Sequence, residues 1–162
     1  MEPLESALLR QAAQIERELT AGSWPQRVIA WVLRPVATQR ALIAKIRGSS
    51  SDTIRVRGVK VAARWLRELL ALDPAALYRR VRCPVLLVGG AKDLQCLPTD
   101  VARIAELAGG PVEAHVVPDL THVLRRDDEP PTMQRYPALL ERPIEPAVLD
   151  LIEVWARRQD GA

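Results

Sequence analysis

An α/β fold is what this sequence predicts, with a helical first half followed by a strand-helix-strand-helix unit whose strands run parallel. Three observations predict it. Apolar residues of the first half recur at helical spacing. Two short runs, Pro84-Val85-Leu86-Leu87-Val88 and Val112-Glu113-Ala114-His115-Val116-Val117, flank a helical stretch from Pro98 to Ala108. The chain then closes on a single apolar stripe. Strands joined through a helix start at the same end of the sheet, so they lie parallel.

The elements follow in order. Leu4, Leu8, Ala12, Ile15 and Leu19 share one face of a helix expected from about Pro3 to Ala21, with Gly22 at its stop. Val28, Trp31 and Val32 continue the pattern until Pro35 breaks it, and Ala41, Ile43 and Ile46 belong to a third helix that Gly48 closes. Gly48-Ser49-Ser50-Ser51-Asp52 reads as a cap, and Ser49 to Asp52 as a mobile linker. A fourth helix is expected from about Val59 to Leu72, carrying Val61, Trp65, Leu69 and Leu72 on one face until Asp73-Pro74 ends it. Trp24, Trp31 and Trp65 are expected in the core, the usual role of a large apolar residue at helical spacing; the alternative is that these helices roof a site and shape its pocket. The unbroken run Val85 to Val88 suggests burial on both faces of its strand. Val148, Leu151, Ile152 and Trp155, after Pro146, should pack the last helix on the sheet, and His115 should sit inside a strand, away from the loops. Residues 1–72 thus form a helical region and 73–162 the α/β portion.

Composition bounds the function. A chain of 162 residues, 48% hydrophobic, permits one sizeable core. The net charge of +3 comes mostly from arginine, since Lys45, Lys60 and Lys92 are the only lysines among 23 basic residues. Those residues are scattered among acids rather than gathered into a stripe with aromatics, which argues against a nucleic-acid partner. Cys83 and Cys96, with only His115 and His122, lack the spacing of a disulfide scaffold or a metal cluster, so no cofactor is expected. The acidic start and the short apolar run Val28 to Leu33 point to a cytoplasmic chain with no membrane partner.

The candidate site residues are Asp93 and His122. Each stands just beyond a predicted strand, in Gly89-Gly90-Ala91-Lys92-Asp93 and in Pro118-Asp119-Leu120-Thr121-His122. Loops that follow parallel strands open on the carboxyl edge of the sheet, where such sheets bind ligands. A carboxylate bonded to one imidazole nitrogen fixes the tautomer and leaves the other to take a proton from a nucleophile. The two should approach to about 2.6 to 3.2 Å. Taken singly, each also fits an ordinary turn or loop residue.

From about Trp65 onward the chain resembles the C-terminal part of bacterial α/β-hydrolase-fold serine hydrolases. The resemblance is carried by Asp73-Pro74, by Val81-Arg82-Cys83-Pro84 leading into the strand and the Asp93 loop, by the Pro118 to His122 loop, and by a closing helix from Ile144 to Arg158. Residues before Asp73 are similar in character to the helical cap of such enzymes. The resemblance implies Asp93 as the triad acid and His122 as the general base in hydrolysis of an ester, thioester or amide. It supplies no nucleophile: no Gly-x-Ser-x-Gly turn precedes Asp93, and the Ser49 to Ser51 string follows a helix. Cys96, a conceivable substitute, lies downstream of the acid and outside any strand-to-helix elbow. A truncated or split hydrolase is therefore expected, inactive alone. It would pair with an N-terminal half or self-associate through an open strand edge, and act on a small acyl substrate only when completed. Two other readings stay open, a non-catalytic interaction protein on the same scaffold and a decayed fragment.

Overall fold

The computed structural model describes residues 3–160, a mixed α/β chain with two small sheets and several helices. It divides after Asp73 into two compact units.

In the first unit, α1 (Leu4–Ala21) packs against α2 (Trp24–Leu33) and α3 (Pro35–Arg47). The break between α2 and α3 has a local cause. Arg34 takes a left-handed conformation (φ 43°) and ends α2, while Pro35 starts α3 with its φ already suited to a helix. The half-buried N-terminus of α3 is satisfied from a distance, because Glu16 Oε2 accepts the Val36 N–H at 3.0 Å. A negative group there also complements the helix dipole.

The chain then departs from the expected fourth helix. Residues 53–62 form an antiparallel hairpin of β1 (Thr53–Val56) and β2 (Val59–Ala62), and α4 begins only at Ala63, running to Ala71. The reason is the two-residue turn: Arg57 (φ 49°) and Gly58 (φ 84°) both adopt positive φ, the geometry that matches strand twist. Ser49 to Asp52, expected as a linker, is tied to α4, with Arg67 Nη1 donating to Ser51 O at 3.0 Å and Arg64 N to Asp52 O at 3.0 Å.

The core of this unit is made of Ala12, Ala30, Ile43, Ile46 and Ala63. The three tryptophans expected there are outside it: Trp24 is 75% exposed, Trp31 79% and Trp65 60%. The buried positions are taken by three alanines and two isoleucines. Trp24, Val28 and Trp31 instead line an open groove of about 1110 Å³, rimmed by Arg27, Arg34 and Arg40.

The second unit begins with the short α5 (Pro74–Tyr78). Strand β3 (Val85–Gly90), helix α6 (Pro98–Leu107) and strand β4 (Val112–Val117) follow as a strand-helix-strand crossover unit, with register running from Val85 opposite Val112 to Gly90 opposite Val117. The strands are parallel, as expected, and α6 packs on both. After β4 come a single 3-10 turn (Met133–Arg135), α7 (Tyr136–Leu139) and α8 (Pro146–Asp160), which contacts β3. The core consists of Leu120, Leu139 and Val148 with Gly90. Val85 to Val88 are only half-buried, not covered on both faces, because among the described residues this sheet has two strands. On α8, Val148 is buried and Trp155 half-buried beside Pro84, Val85 and Pro111, whereas Ile152 faces outward at 47% exposure. No helix among the described residues is long and apolar enough to cross a membrane.

Candidate functional site

The carboxyl ends of β3 and β4 set the site. Ladder bonding continues past both strands, with Ala91 N donating to Val117 O at 2.9 Å and Lys92 N to Leu120 O at 3.0 Å, so the two loops leave the sheet together. Gly90 allows this closeness. A Cβ built there would lie 2.2 Å from Leu120 O and 2.8 Å from its carbonyl carbon, so any side chain would push the second loop away.

Asp93 is fixed by its own backbone. Its Oδ1 accepts the N–H groups of Gln95 at 2.7 Å and Cys96 at 2.8 Å, and its side chain is only 9% exposed. This Asx-type turn aims the other oxygen outward. Oδ2 meets His122 Nδ1 at 3.0 Å, and the imidazole is 38% exposed. A carboxylate has only acceptors, so Nδ1 carries the shared proton and Nε2 is left as the basic nitrogen. The two residues picked from the sequence are therefore brought together at hydrogen-bonding distance from adjacent parallel strands.

His122 is held by the loop around it. Leu120 and Thr121 are buried, and Thr121 bonds Arg125 O twice, through its N–H at 3.0 Å and its hydroxyl at 2.9 Å. Asp119 (φ 56°) and Leu124 (φ 59°) take the left-handed conformations that bend the chain back, and Leu120 pairs with Arg126 across the bend.

Two polar clamps, not singled out from the sequence, join this loop to its surroundings. Lys92 Nζ donates to Asp127 O (2.7 Å) and Glu129 O (3.2 Å) and pairs with Asp119 Oδ1 (2.8 Å), which uses all three ammonium protons. Asp127, almost fully buried, accepts from Arg135 at 2.7 and 3.1 Å. Burial pushes the Asp127 carboxyl up, but the Arg135 hydrogen bonds, the Glu129 N–H and the charges of Arg135 and Lys92 outweigh it and hold it below the usual carboxylate range. Asp119 is held low as well, first by its hydrogen bond from Lys92. The only sequence signal for these clamps was the cluster Arg125 to Glu129, which in isolation reads as cancelling charge.

His115 lies within β4, away from this edge. Its Nε2 meets Glu113 Oε1 at 2.9 Å, and Glu113 Oε2 pairs with Arg158 of α8 at 2.6 Å, so this group of residues ties strand to helix. The two cysteines are exposed and not in a disulfide. Cys96, which sequence spacing had separated from any ligand cluster, is gathered with Asp93 and His122: one ligand atom of each lies within 4.8 Å of the others. Spacing along the chain did not show this because His122 arrives from the next strand.

No protein-family model and no curated protein matches the chain. Among solved structures, Est1E from Butyrivibrio proteoclasticus with ferulic acid bound is similar at 17% identity and a TM-score of 0.37, over 46% of this chain and 30% of that one. The chain thus aligns with less than a third of that structure.

Proposed function

We propose that this chain supplies the acid, Asp93, and the base, His122, of a serine hydrolase whose nucleophile comes from residues outside these 162. One observation carries the reading: Asp93 Oδ2 and His122 Nδ1 stand 3.0 Å apart on loops leaving adjacent parallel strands. In the reaction a serine would attack an ester, thioester or amide carbonyl, His122 Nε2 would take its proton, and Asp93 would stabilise the imidazolium. The oxyanion donors would come with the nucleophile.

The chain alone should show no turnover of short-chain nitrophenyl esters and no labelling by a fluorophosphonate probe. Co-expression with a fragment carrying a Gly-x-Ser-x-Gly elbow and the next strand should restore both, and His122→Ala should abolish them again. Turnover by the isolated chain that vanishes in His122→Ala, or fluorophosphonate labelling of a serine such as Ser50, would overturn the proposal.

A second reading, a non-catalytic interaction protein, draws on the groove of the first unit. Trp24 and Trp31 are large, rigid and exposed, the residue type that dominates binding hot spots. Retention of a bound partner by the wild type and its loss in Trp31→Ala, with no hydrolytic activity in any reconstitution, would favour this reading.

A further inference from the structure

We infer that Asp93, Cys96 and His122 form a site for one divalent, thiophilic cation of the zinc type. The inference does not rest on the hydrolase reading, since it needs no residue from outside the chain. A carboxylate, a thiol and an imidazole each offer one ligand atom there, all within 4.8 Å of one another. A tetrahedral ion with bonds of about 2.0 to 2.3 Å needs ligand atoms about 3.3 to 3.8 Å apart. The outer limit of 4.8 Å lies about 1 Å beyond that range, a shift of the size that rotation about the Cys96 side-chain bonds can supply.

The backbone already sets part of this geometry. Cys96 N–H donates to Asp93 Oδ1 at 2.8 Å, so the two residues are held in one tight turn, and Oδ2 is the oxygen directed at the imidazole. Lys92, the nearest cation in sequence, is committed to Asp119 and to two carbonyls of the following loop, and so does not occupy the site with its own charge.

The donor set selects the ion. A thiolate with an imidazole and one carboxylate suits zinc or cobalt and disfavours magnesium and calcium, which take oxygen ligands. Three protein ligands leave a fourth position, open because Cys96 is exposed and the His122 ring is 38% exposed. An ion there would displace the Nδ1 proton that Asp93 accepts in the empty site and the Cys96 thiol proton, leaving the ring proton on Nε2, so loading the site would withdraw His122 from proton transfer.

The test is titration of the reduced full chain with Co²⁺, followed by absorbance, then displacement by Zn²⁺. The expected result is one ion per chain with a near-ultraviolet thiolate-to-cobalt band. Cys83→Ser should keep that band, Cys96→Ser should lose it, and Asp93→Asn and His122→Ala should each weaken binding about tenfold or more. Circular dichroism of each variant checks that it is folded, and Cys96→Ser, an exposed and nearly isosteric change, is the variant least exposed to that objection. Absence of the band at millimolar Co²⁺, its persistence in Cys96→Ser, its loss in Cys83→Ser, or unchanged affinity in both other variants would each overturn the inference.

Discussion

Gly90 is the residue on which the meeting of Asp93 and His122 depends. It needs no positive φ; it needs space, because Leu120 O would lie 2.2 Å from a Cβ. Gly90→Ala should therefore cost about 1 to 3 kcal/mol, as overpacking does. It should also separate the Asp93 and His122 loops, seen as loss of the downfield Nδ1 proton in NMR. Lys92→Met, which keeps the stem but removes the three donated bonds, should release the His122 loop with the same spectral change while leaving β3 and β4 paired. Retention of that proton signal in both variants would show that neither residue positions the loop.

Asp127 gives the molecule a pH dependence with a definite sign. Its folded pKa is lowered, so its contribution is complete above the ordinary aspartate value of about 3.9 and is lost as pH falls through the lower folded value. Thermal unfolding should thus show destabilisation below about pH 4 that is reduced in Asp127→Asn. At pH 7, Arg135→Ala should cost about 2 kcal/mol, since hydrogen bonds to a charged group are lost and Asp127 is left buried. Equal acid slopes in Asp127→Asn and the wild type would remove Asp127 from the account.

At the scale of elements, the hairpin of the first unit is decided by its turn. Arg57 and Gly58 both have positive φ, a conformation natural to glycine and costly for arginine. Two substitutions should move stability in opposite directions. Gly58→Ala, though nothing stands within 4 Å of the added Cβ, should destabilise by about 1 kcal/mol through backbone strain alone, and Arg57→Asn should stabilise because asparagine tolerates the left-handed region. Denaturant midpoints at constant slope would measure both, and a matching sign for the two would contradict the turn assignment. The same element explains why helical periodicity misled over 59–62. Val61 fits a helical stripe with Trp65 and Leu69, yet Val59 and Val61 also fit strand alternation, and the positive-φ turn plus pairing with Thr53 to Val56 decided for the strand.

At the scale of the whole molecule, exposed apolar surface is the dominant property. The sheet of the second unit has two strands among the described residues, and Val85 to Val88 stay half-buried. The outer side of β3 is a row of strand groups able to pair with another chain. The chain should therefore self-associate, with light scattering after gel filtration giving a mass above 18.0 kDa that rises with concentration. A concentration-independent monomer that unfolds cooperatively would favour an autonomous binding protein over a piece of a larger sheet.

The sequence by itself determined the parts whose causes are local. Proline and glycine placed the ends of α1, α2 and α3, two β-branched-rich runs around a helical stretch determined the parallel pair, and their order placed Asp93 and His122 on one edge. Tertiary structure alone decided the rest. Whether Trp24, Trp31 and Trp65 were core depended on which faces the helices turned toward one another, and β3 was left half-exposed because burial depends on neighbours the run itself does not encode. Cys96 joined Asp93 and His122 only when a second strand carried the imidazole to it, and Lys92 and Arg135 became clamps only when the loop folded back. Local propensity acts over a few residues, whereas burial and ligand geometry are properties of what the chain brings together from far apart.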